Sequence, residues 1–151
     1  MKNIILSFLI VNIIFSCKTT SEITPKTNST YSFNFVESKD LNSVLELAKS
    51  KYQLVYLDIS ASWCAPCQLM KRDVYTHKET SEFFNKNFVN YLVDAEKGEG
   101  PDLKVIYGVT NYPTLLILDG RGRVISRKEG GTYHEALMKF GKEALLNNPT
   151  M

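Results

Sequence analysis

The sequence predicts a domain of the α/β class. Short apolar runs of strand length alternate with segments whose apolar residues recur at helical spacing. The run 53–59 is almost wholly apolar, which is typical of a central strand buried on both faces. The runs 114–118 and 124–128 flank a turn at 119–122 and therefore predict an antiparallel hairpin. A chain of 151 residues has the usual length of one domain.

The first half of the domain has five further strand or helix signals. Residues 31–36 alternate aromatic and polar side chains, which predicts a first strand. A helix follows, with a core face made of Leu41, Val44, Leu45 and Ala48. We expect the next helix to run from Cys64 to about Val74, a short helix to carry Phe83 and Phe84, and a strand to occupy 88–93.

The second half continues the alternation. Residues 94–101 are polar, and we expect a solvated loop there rather than a catalytic one. A short helix is indicated by Leu103, Ile106 and Tyr107. After Gly130 and Gly131 comes the last helix, with a core face of Leu137, Phe140, Ala144 and Leu145.

The first 16 residues predict an export signal. Lys2 supplies a positive region, and the apolar core from Ile4 to Phe15 is well short of the roughly 20 residues that a membrane-spanning helix needs. The run 14–17 resembles a bacterial lipobox, in which the chain is cut before Cys17 and lipid is attached to its sulfur. We therefore expect residues 1–16 to be a lipoprotein signal peptide; the alternative is a plain signal peptide that contains a cysteine.

Residues 17–30 predict a flexible tether between lipidated Cys17 and a domain at 31–149. The segment is rich in Thr, Ser, Lys and Asn, and it has too few apolar residues to fold by itself. We expect an extracytoplasmic, membrane-anchored lipoprotein that faces the periplasm and is monomeric. The net charge of +2 gives no indication of nucleic-acid binding.

The candidate chemistry lies at Cys64 and Cys67, which are separated by Ala65 and Pro66. Residues three apart on a helix share one face at about 5–6 Å, close enough for a disulfide after a small adjustment. Cys64 would lie at the helix N-terminus, where unpaired N–H groups and the helix dipole favour a thiolate. Cys67 would lie one turn deeper as the resolving thiol, so the pair can open and close.

Two other interpretations of the cysteines are a permanent structural disulfide and half of a zinc site. Zinc would need His77 and His134 as ligands, because the chain has no second CxxC motif. A purely structural bridge across so short a loop would gain little from loop entropy. We therefore favour a redox-active disulfide and expect no metal.

Asp58 is the one acidic residue in the apolar run 53–59. A buried carboxylate is costly unless it is paired or protonated, so this position needs an explanation. Asp58 could make a structural hydrogen bond or lie on an exposed strand face. Alternatively, it could accept the proton that the buried Cys67 thiol must lose.

The stretch YLDISASWCAPC at 56–67 resembles the active-site segment of thioredoxins, and NYPT at 111–114 resembles their cis-proline loop. The resemblance extends over 31–149 and implies the thioredoxin fold, in which a mixed central β-sheet is covered by helices on both faces. It places Asp58 where the family has a buried acidic residue, which favours the role of proton acceptor for Cys67. It also implies that Pro113 is cis and lies beside Cys64, where backbone groups could pair with an extended peptide.

The resemblance further implies a substrate-docking surface around the cysteines. Its members would be Trp63, Ala65, Pro66, Tyr112, Pro113 and Gly130. Two positions depart from the family: Ala65 replaces the usual Gly, which leaves the redox potential open, and Asn90 stands where thioredoxins often place a lysine near the buried acid.

The implied activity is thiol–disulfide exchange, in which Cys64 attacks a partner disulfide and Cys67 then releases the reduced partner. We expect an enzyme that reduces disulfides in exported proteins and needs no cofactor beyond the Cys64–Cys67 disulfide. Its electrons would come from a membrane relay or another thiol protein. The alternatives are an oxidase or isomerase with the same fold, and a non-catalytic domain that binds exported peptides.

Overall fold

The molecule is described by a computed structural model that covers residues 32–148. Its central sheet contains the strands β1 (Leu54–Ser60), β2 (Phe88–Asp94), β3 (Thr114–Leu118) and β4 (Val124–Glu129). The strand order is β2-β1-β3-β4, with β1 parallel to β2, and with both β1–β3 and β3–β4 antiparallel. The predicted mixed sheet is therefore confirmed, and β1 lies in its interior.

In the part of the chain that the structure describes, five α-helices surround the sheet. They are α1 (Leu41–Ser50), α2 (Ala65–Leu69), α3 (Lys78–Asn87), α4 (Gly100–Ile106) and α5 (His134–Leu146). Helices α1 and α4 share a core with one face of the sheet, and α3 and α5 share a second core with the other face. Helices on both faces are as predicted. Among residues 32–148, none of the helices is long and apolar enough to cross a membrane.

Strand β1 sends alternate side chains into the two cores, as the pleat of a strand requires. Val55, Leu57 and Ile59 pack towards α1 and α4. Tyr56 packs towards α3 and α5, and Asp58 on the same face bonds to a residue that follows α2. The carboxylate therefore lies inside the protein on the side that carries the cysteines.

The predicted first strand at 31–36 is wrong for the residues that the structure describes. Only Phe35 forms a ladder pair, an isolated parallel bridge to Asn90. The N–H of Val36 donates to the Asn90 carbonyl at 2.9 Å, but the donors before it turn elsewhere: the N–H of Phe33 donates to the Tyr75 carbonyl (3.0 Å), and that of Asn34 donates to the Asn85 side chain (2.8 Å). Hydrogen bonds to three different parts of the fold therefore hold this segment, instead of a continuous ladder to one strand.

The helix predicted from Cys64 to Val74 changes geometry halfway along. After α2, Met70–Val74 form a π-helical turn, which the N–H of Tyr75 closes by donating to the Met70 carbonyl at 2.9 Å. Such turns add one residue to a helical repeat and are frequent at functional sites. Here the turn determines the direction in which Tyr75 leaves the helix.

The helix predicted near Leu103 begins at Gly100, inside the segment 94–101 that the sequence assigned to a loop. The signal peptide 1–16, the lipid-bearing Cys17, the tether 17–30 and the two ends of the domain 31–149 lie outside the described residues.

Helices α3 and α5 cross at a glycine. A Cβ atom added to Gly141 would lie 2.9 Å from ring atoms of both Phe83 and Phe84. Phe84 is fully buried and stacks on Phe88 with 5.0 Å between ring centroids. The small residue thus permits the close helix contact that fills this core.

We expect Gly141→Ala to lower the free energy of unfolding by about 1–3 kcal/mol, because the added methyl group overpacks the two rings. This loss should outweigh the roughly 1 kcal/mol by which alanine is preferred to glycine in helices. Urea denaturation measures the change. The exposed Lys139→Ala in the same helix is the control and should change stability by no more than about 0.5 kcal/mol. Equal or greater stability of Gly141→Ala would contradict this packing argument.

Candidate active site

Cys64 and Cys67 lie at the start of α2, just beyond the end of β1. The two sulfurs are joined in a disulfide, and the Cα atoms are 5.3 Å apart. Cys64 is the N-cap residue of α2, and Pro66 occupies the first turn, where proline has no intrahelical use for the N–H that it lacks. The structure therefore contains the bonded pair that the spacing predicts.

The two sulfurs have different surroundings. Cys64 retains 4% of its surface exposed and Cys67 only 1%. The backbone N–H of Cys67 donates to the Cys64 sulfur at 3.2 Å. A sulfur that receives an N–H at the first turn of a helix is stabilised as a thiolate. Cys64 is accordingly the more accessible sulfur and has the donor that would stabilise a thiolate, and Cys67 is the enclosed member of the pair.

Two loops bring the predicted docking residues to the cysteines. The Tyr112–Pro113 peptide bond is cis, and Tyr112 packs against the cluster of Cys64 and Cys67. The N–H of Gly130 donates to the Pro113 carbonyl at 2.8 Å, so the glycine loop is joined to the proline loop. Pro113 itself is buried, so it shapes the surface through its backbone.

Gly131, which the sequence analysis placed only as a break before the last helix, packs against Pro66. A Cβ atom at Gly131 would be 3.0 Å from the Pro66 Cβ, so the two backbones approach each other closely. Ala65 and Pro66 are both exposed beside this contact. The loop before α5 therefore forms one wall of the surface around the cysteines.

Trp63 provides an exposed aromatic ring next to Cys64. The side chain is 66% exposed, and its ring meets that of Tyr112 edge to face with 5.7 Å between centroids. Its indole N–H donates to Glu96 at 2.9 Å. Glu96 belongs to the segment that was predicted to be only a solvated loop, so the sequence analysis missed this contact. No sequence pattern links the two positions, which are 33 residues apart.

Asp58 is 1% exposed, and both of its oxygens are bonded. The Ser60 hydroxyl donates to Oδ1 and the Tyr75 hydroxyl donates to Oδ2, each at 2.5 Å. Burial raises the pKa of the Asp58 carboxyl, while these two hydrogen bonds and the charge of Lys71 oppose the rise. Asp58 therefore belongs to a buried polar network, and the possibility of an exposed strand face is excluded.

The cation that acts on Asp58 comes from the active-site helix rather than from β2. Asn90, at the position where thioredoxins often have lysine, pairs in register with Tyr56, and its amide donates to the side chain of Asn85 at 3.0 Å. Lys71 of the π-helical turn supplies the positive charge instead. Its spacing of four from Cys67 could have indicated a position on the same helix face.

The two histidines do not complete a metal site with the cysteines. His77 and His134 stack on each other at 3.8 Å, at the starts of α3 and α5. Between residues 32 and 148, no group of three or more His, Cys, Asp or Glu side chains is arranged to hold a metal ion. The chemistry available at this site is therefore that of the disulfide and its buried acid.

Comparisons with known proteins agree with this arrangement. The family model Thioredox_DsbH, described as a protein of unknown function, DUF255, matches residues 33–117. Thioredoxin H2 of Arabidopsis thaliana is 33% identical over 94 residues, which are 62% of this chain and 65% of that protein. The chain spans less than two thirds of that relative, and only 16% of another curated relative.

Solved structures show the same fold. A candidate disulphide-isomerase from Bacteroides thetaiotaomicron is 33% identical, with a TM-score of 0.68 over 76% of this chain and 94% of that chain. A DsbH oxidoreductase superposes with a TM-score of 0.62 over 76% of this chain and 88% of that chain, and its 22% identity supports the fold alone. Because the family model covers more than half of the chain and agrees with its fold and its CxxC disulfide, the chain belongs to the thioredoxin-like family.

Proposed function

We propose that the protein is a thiol–disulfide oxidoreductase that reduces disulfides of exported proteins. The proposal depends on one observation: a CxxC disulfide lies at the start of a helix, beside a cis-proline loop and on the same sheet face as a buried carboxylate. Such a pair can attack a disulfide, resolve the intermediate and store two electrons without a bound cofactor.

In the first step, the Cys64 thiolate attacks a sulfur of the partner disulfide. A bond forms between Cys64 and that sulfur, the partner's S–S bond breaks, and the other partner sulfur leaves as a thiolate. The N–H of Cys67, 3.2 Å from the Cys64 sulfur, stabilises the attacking thiolate.

In the second step, the Cys67 thiol gives its proton to Asp58 and attacks Cys64. The mixed disulfide breaks, the partner leaves as a second thiolate, and the Cys64–Cys67 bond closes. Asp58 suits this role because burial raises the pKa of its carboxyl towards the range in which it can accept and return a proton. The partner is reduced by two electrons and the protein is oxidised by two.

The partner would lie across the surface formed by Trp63, Ala65, Pro66, Tyr112 and Gly130, next to Pro113. The exposed Trp63 ring and the half-buried Tyr112 ring offer apolar contact area, and Trp63 is held in place by its bond to Glu96. Partner recognition through an extended peptide fits this open surface better than an enclosed small-molecule pocket would.

We also propose an extracytoplasmic, membrane-anchored protein with lipid on Cys17. The lipobox-like run 14–17 and the polar segment 18–30 support this proposal. Attached acyl chains would hold the protein on the membrane, at about 0.8 kcal/mol for each buried CH₂ group. Electrons would then come from a membrane protein or another thiol protein.

A second candidate function is disulfide isomerisation, because one of the similar solved structures is described as a candidate disulphide-isomerase. The two functions differ in reduction potential. A potential near that of thioredoxin, about −270 mV, favours the reductase, and one near that of protein disulfide isomerase, about −180 mV, favours the alternative. Equilibration with glutathione buffers measures it.

The proposed mechanism makes a prediction about the nucleophile. Cys67→Ala should accumulate mixed disulfides between Cys64 and exported proteins, because the resolving thiol is absent. Non-reducing gels of cells that carry the variant should show these adducts, and Cys64→Ser in the same background should abolish them. Adducts that persist without Cys64 would refute the assignment. Undiminished partner capture after loss of both cysteines would favour a peptide-binding domain.

The second prediction concerns the cost of ionising Asp58. Because burial raises the folded-state pKa of the carboxyl above its unfolded value, the stability present at low pH should be lost as pH rises through the folded-state pKa. Asp58→Asn should remove this decline. It should also slow the Cys67 step by about 10²-fold near neutral pH, as expected for a lost general base. Urea denaturation across a pH series measures the first effect, and stopped-flow kinetics measures the second. If the free energy of unfolding of Asp58→Asn still declines as the pH rises, the decline is caused by another titratable group.

The third prediction concerns location. Cys17→Ser should move the protein from the membrane fraction to the soluble fraction and abolish incorporation of radiolabelled palmitate. The exposed Ser62→Ala is a control that should change neither readout. Unaltered membrane attachment without Cys17 would exclude the lipid anchor.

A further inference from the structure

The two oxygens of the Asp58 carboxylate have different kinds of hydrogen-bond donor. Oδ2 is bonded to the phenol of Tyr75, which in turn lies 2.9 Å from the phenol of Tyr56. Oδ1 is bonded to the alcohol of Ser60, two residues along the same strand. An inference about these hydroxyls rests on the proposed role of Asp58 as the acceptor of the Cys67 proton.

The direction of the tyrosine chain is fixed by chemistry. An ionised carboxylate can only accept hydrogen bonds, so Tyr75 must donate its proton to Asp58. The oxygen of Tyr75 is then the acceptor for Tyr56, which must donate to it. Tyr56 is completely buried, and within residues 32–148 its hydroxyl has no other hydrogen-bond partner. The chain of donors therefore runs from Tyr56 to Tyr75 to Asp58.

This chain cannot easily be reversed when Asp58 gains a proton. If the new proton were on Oδ2, Tyr75 would have to turn its O–H towards Tyr56, and the O–H of Tyr56 would have no acceptor. A buried donor without a partner is costly. Burial, reinforced by the charge of Asp58, also raises the pKa of both phenols well above their ordinary value, so both stay protonated and remain donors.

Ser60 has a freedom that the tyrosines lack. An alcohol carries one donor and two lone pairs and can rotate about its C–O bond. Ser60 also lines a cavity of about 250 Å³, whose polar lining residues include Gln68, Lys71 and Asp94. A cavity of this size with several polar groups can hold water, which could accept the Ser60 proton when the hydroxyl turns away from Asp58. Ser60 can therefore donate to the ionised carboxylate and accept from the protonated one.

The other surroundings of Asp58 contribute little that could change with pH. The neighbouring strands place the uncharged Leu92 and Leu115 opposite it. Lys71 is the cation that acts on the carboxyl, and Asp94 across the cavity is paired with Lys97 at 3.0 Å. Within residues 32–148, the charged and titratable groups around the acid and its cavity are therefore Lys71, Asp94, Lys97, Tyr56 and Tyr75, and Cys67 is the proposed proton donor.

We propose that Tyr75, held by Tyr56, is a positioning residue that keeps Asp58 ionised until Cys67 gives up its proton, and that Ser60 rotates to follow that proton. The proton breaks its bond to the Cys67 sulfur and binds Asp58 Oδ1. Ser60 then accepts from the new O–H and turns its own O–H to the cavity. Tyr75 and Tyr56 donate throughout and exchange no proton.

The two hydroxyls should therefore differ in their effect on Asp58. Tyr75 can only donate, and its bond to the ionised carboxylate is stronger than its bond to the neutral acid, so its loss should disfavour ionisation. Ser60 also lowers the pKa of the carboxyl when it donates to the ion. In the protonated state, however, Ser60 accepts the new O–H of the acid, so its loss removes a hydrogen bond from both forms and should shift the acid equilibrium less. We expect Tyr75→Phe to raise the titration midpoint of Asp58 by about one pH unit, a tenfold change in the acid equilibrium, and Ser60→Ala to shift it by less than about a third of that.

The experiment uses the full chain with Cys17→Ser, so that Cys64 and Cys67 are the only thiols. Carbon-13 NMR of the Asp58 carboxyl gives the titration midpoint. Single-turnover reaction of the reduced protein with dithionitrobenzoate gives the rate of the Cys67 step as the rate of the second release of thionitrobenzoate. This rate should rise with pH, and the pH at which it rises should move with the titration midpoint of Asp58. Tyr107→Phe and Ser81→Ala are controls: each removes a hydroxyl bonded to a backbone carbonyl away from Asp58, and each should shift neither readout.

Tyr75→Phe keeps the ring and its packing; if it nevertheless fails to fold, Tyr56→Phe replaces it and should give a smaller shift in the same direction. The inference is overturned if the tyrosine variant does not raise the titration midpoint of Asp58. It is also overturned if Ser60→Ala shifts that midpoint as much as the tyrosine variant does. Failure of the proposed role of Asp58 as proton acceptor would give a different result. The pH dependence of the second thionitrobenzoate release would then be the same in Asp58→Asn as in the unchanged protein, whatever the carbon-13 titrations of the other variants show.

Discussion

The burial of one carboxylate is the constraint on which the active-site half of this structure depends. Asp58 lies in the interior strand of the sheet, where a charge without partners would be very unfavourable. Two hydroxyl groups and the charge of Lys71 compensate for the lost water. These partners come from β1 itself and from the end of the active-site helix, so the acid joins the strand to the helix that carries the cysteines.

The π-helical turn after α2 is the local feature that makes this connection possible. It places Lys71 and the following Tyr75 within reach of Asp58, while α2 in front of it positions Cys64 and Cys67. Tyr75 also accepts the N–H of Phe33 at its carbonyl, so the same residue fixes the segment that precedes α1. One short turn therefore links the redox pair, its buried acid and the N-terminal part of the described chain.

The outer surface of the site is built from loops that are far apart in sequence. The cis-proline loop and the glycine loop are joined by the bond from Gly130 to Pro113, and Trp63 is joined to the loop before α4 through Glu96. Each loop adjoins one end of a sheet strand, so the sheet positions the loops relative to the disulfide. A partly aromatic surface beside the disulfide would suit the proposed docking of partners of variable sequence, because backbone pairing and apolar contact need few specific side chains.

The sequence by itself determined the alternation of strands and helices and the pairing of Cys64 with Cys67, while the mixed sheet was implied by the resemblance to thioredoxins. The alternation and the pairing depend on local periodicity and on a spacing of three residues, both of which can be read from neighbours along the chain. Only the tertiary structure decided that Tyr75, Ser60 and Lys71 surround Asp58, that Glu96 holds Trp63, and that residues 32–36 form a single bridge instead of a strand. Those outcomes depend on a π-helical turn and on contacts across tens of residues, where the hydrogen-bond partner is chosen by three-dimensional proximity and leaves no periodic signal in the chain.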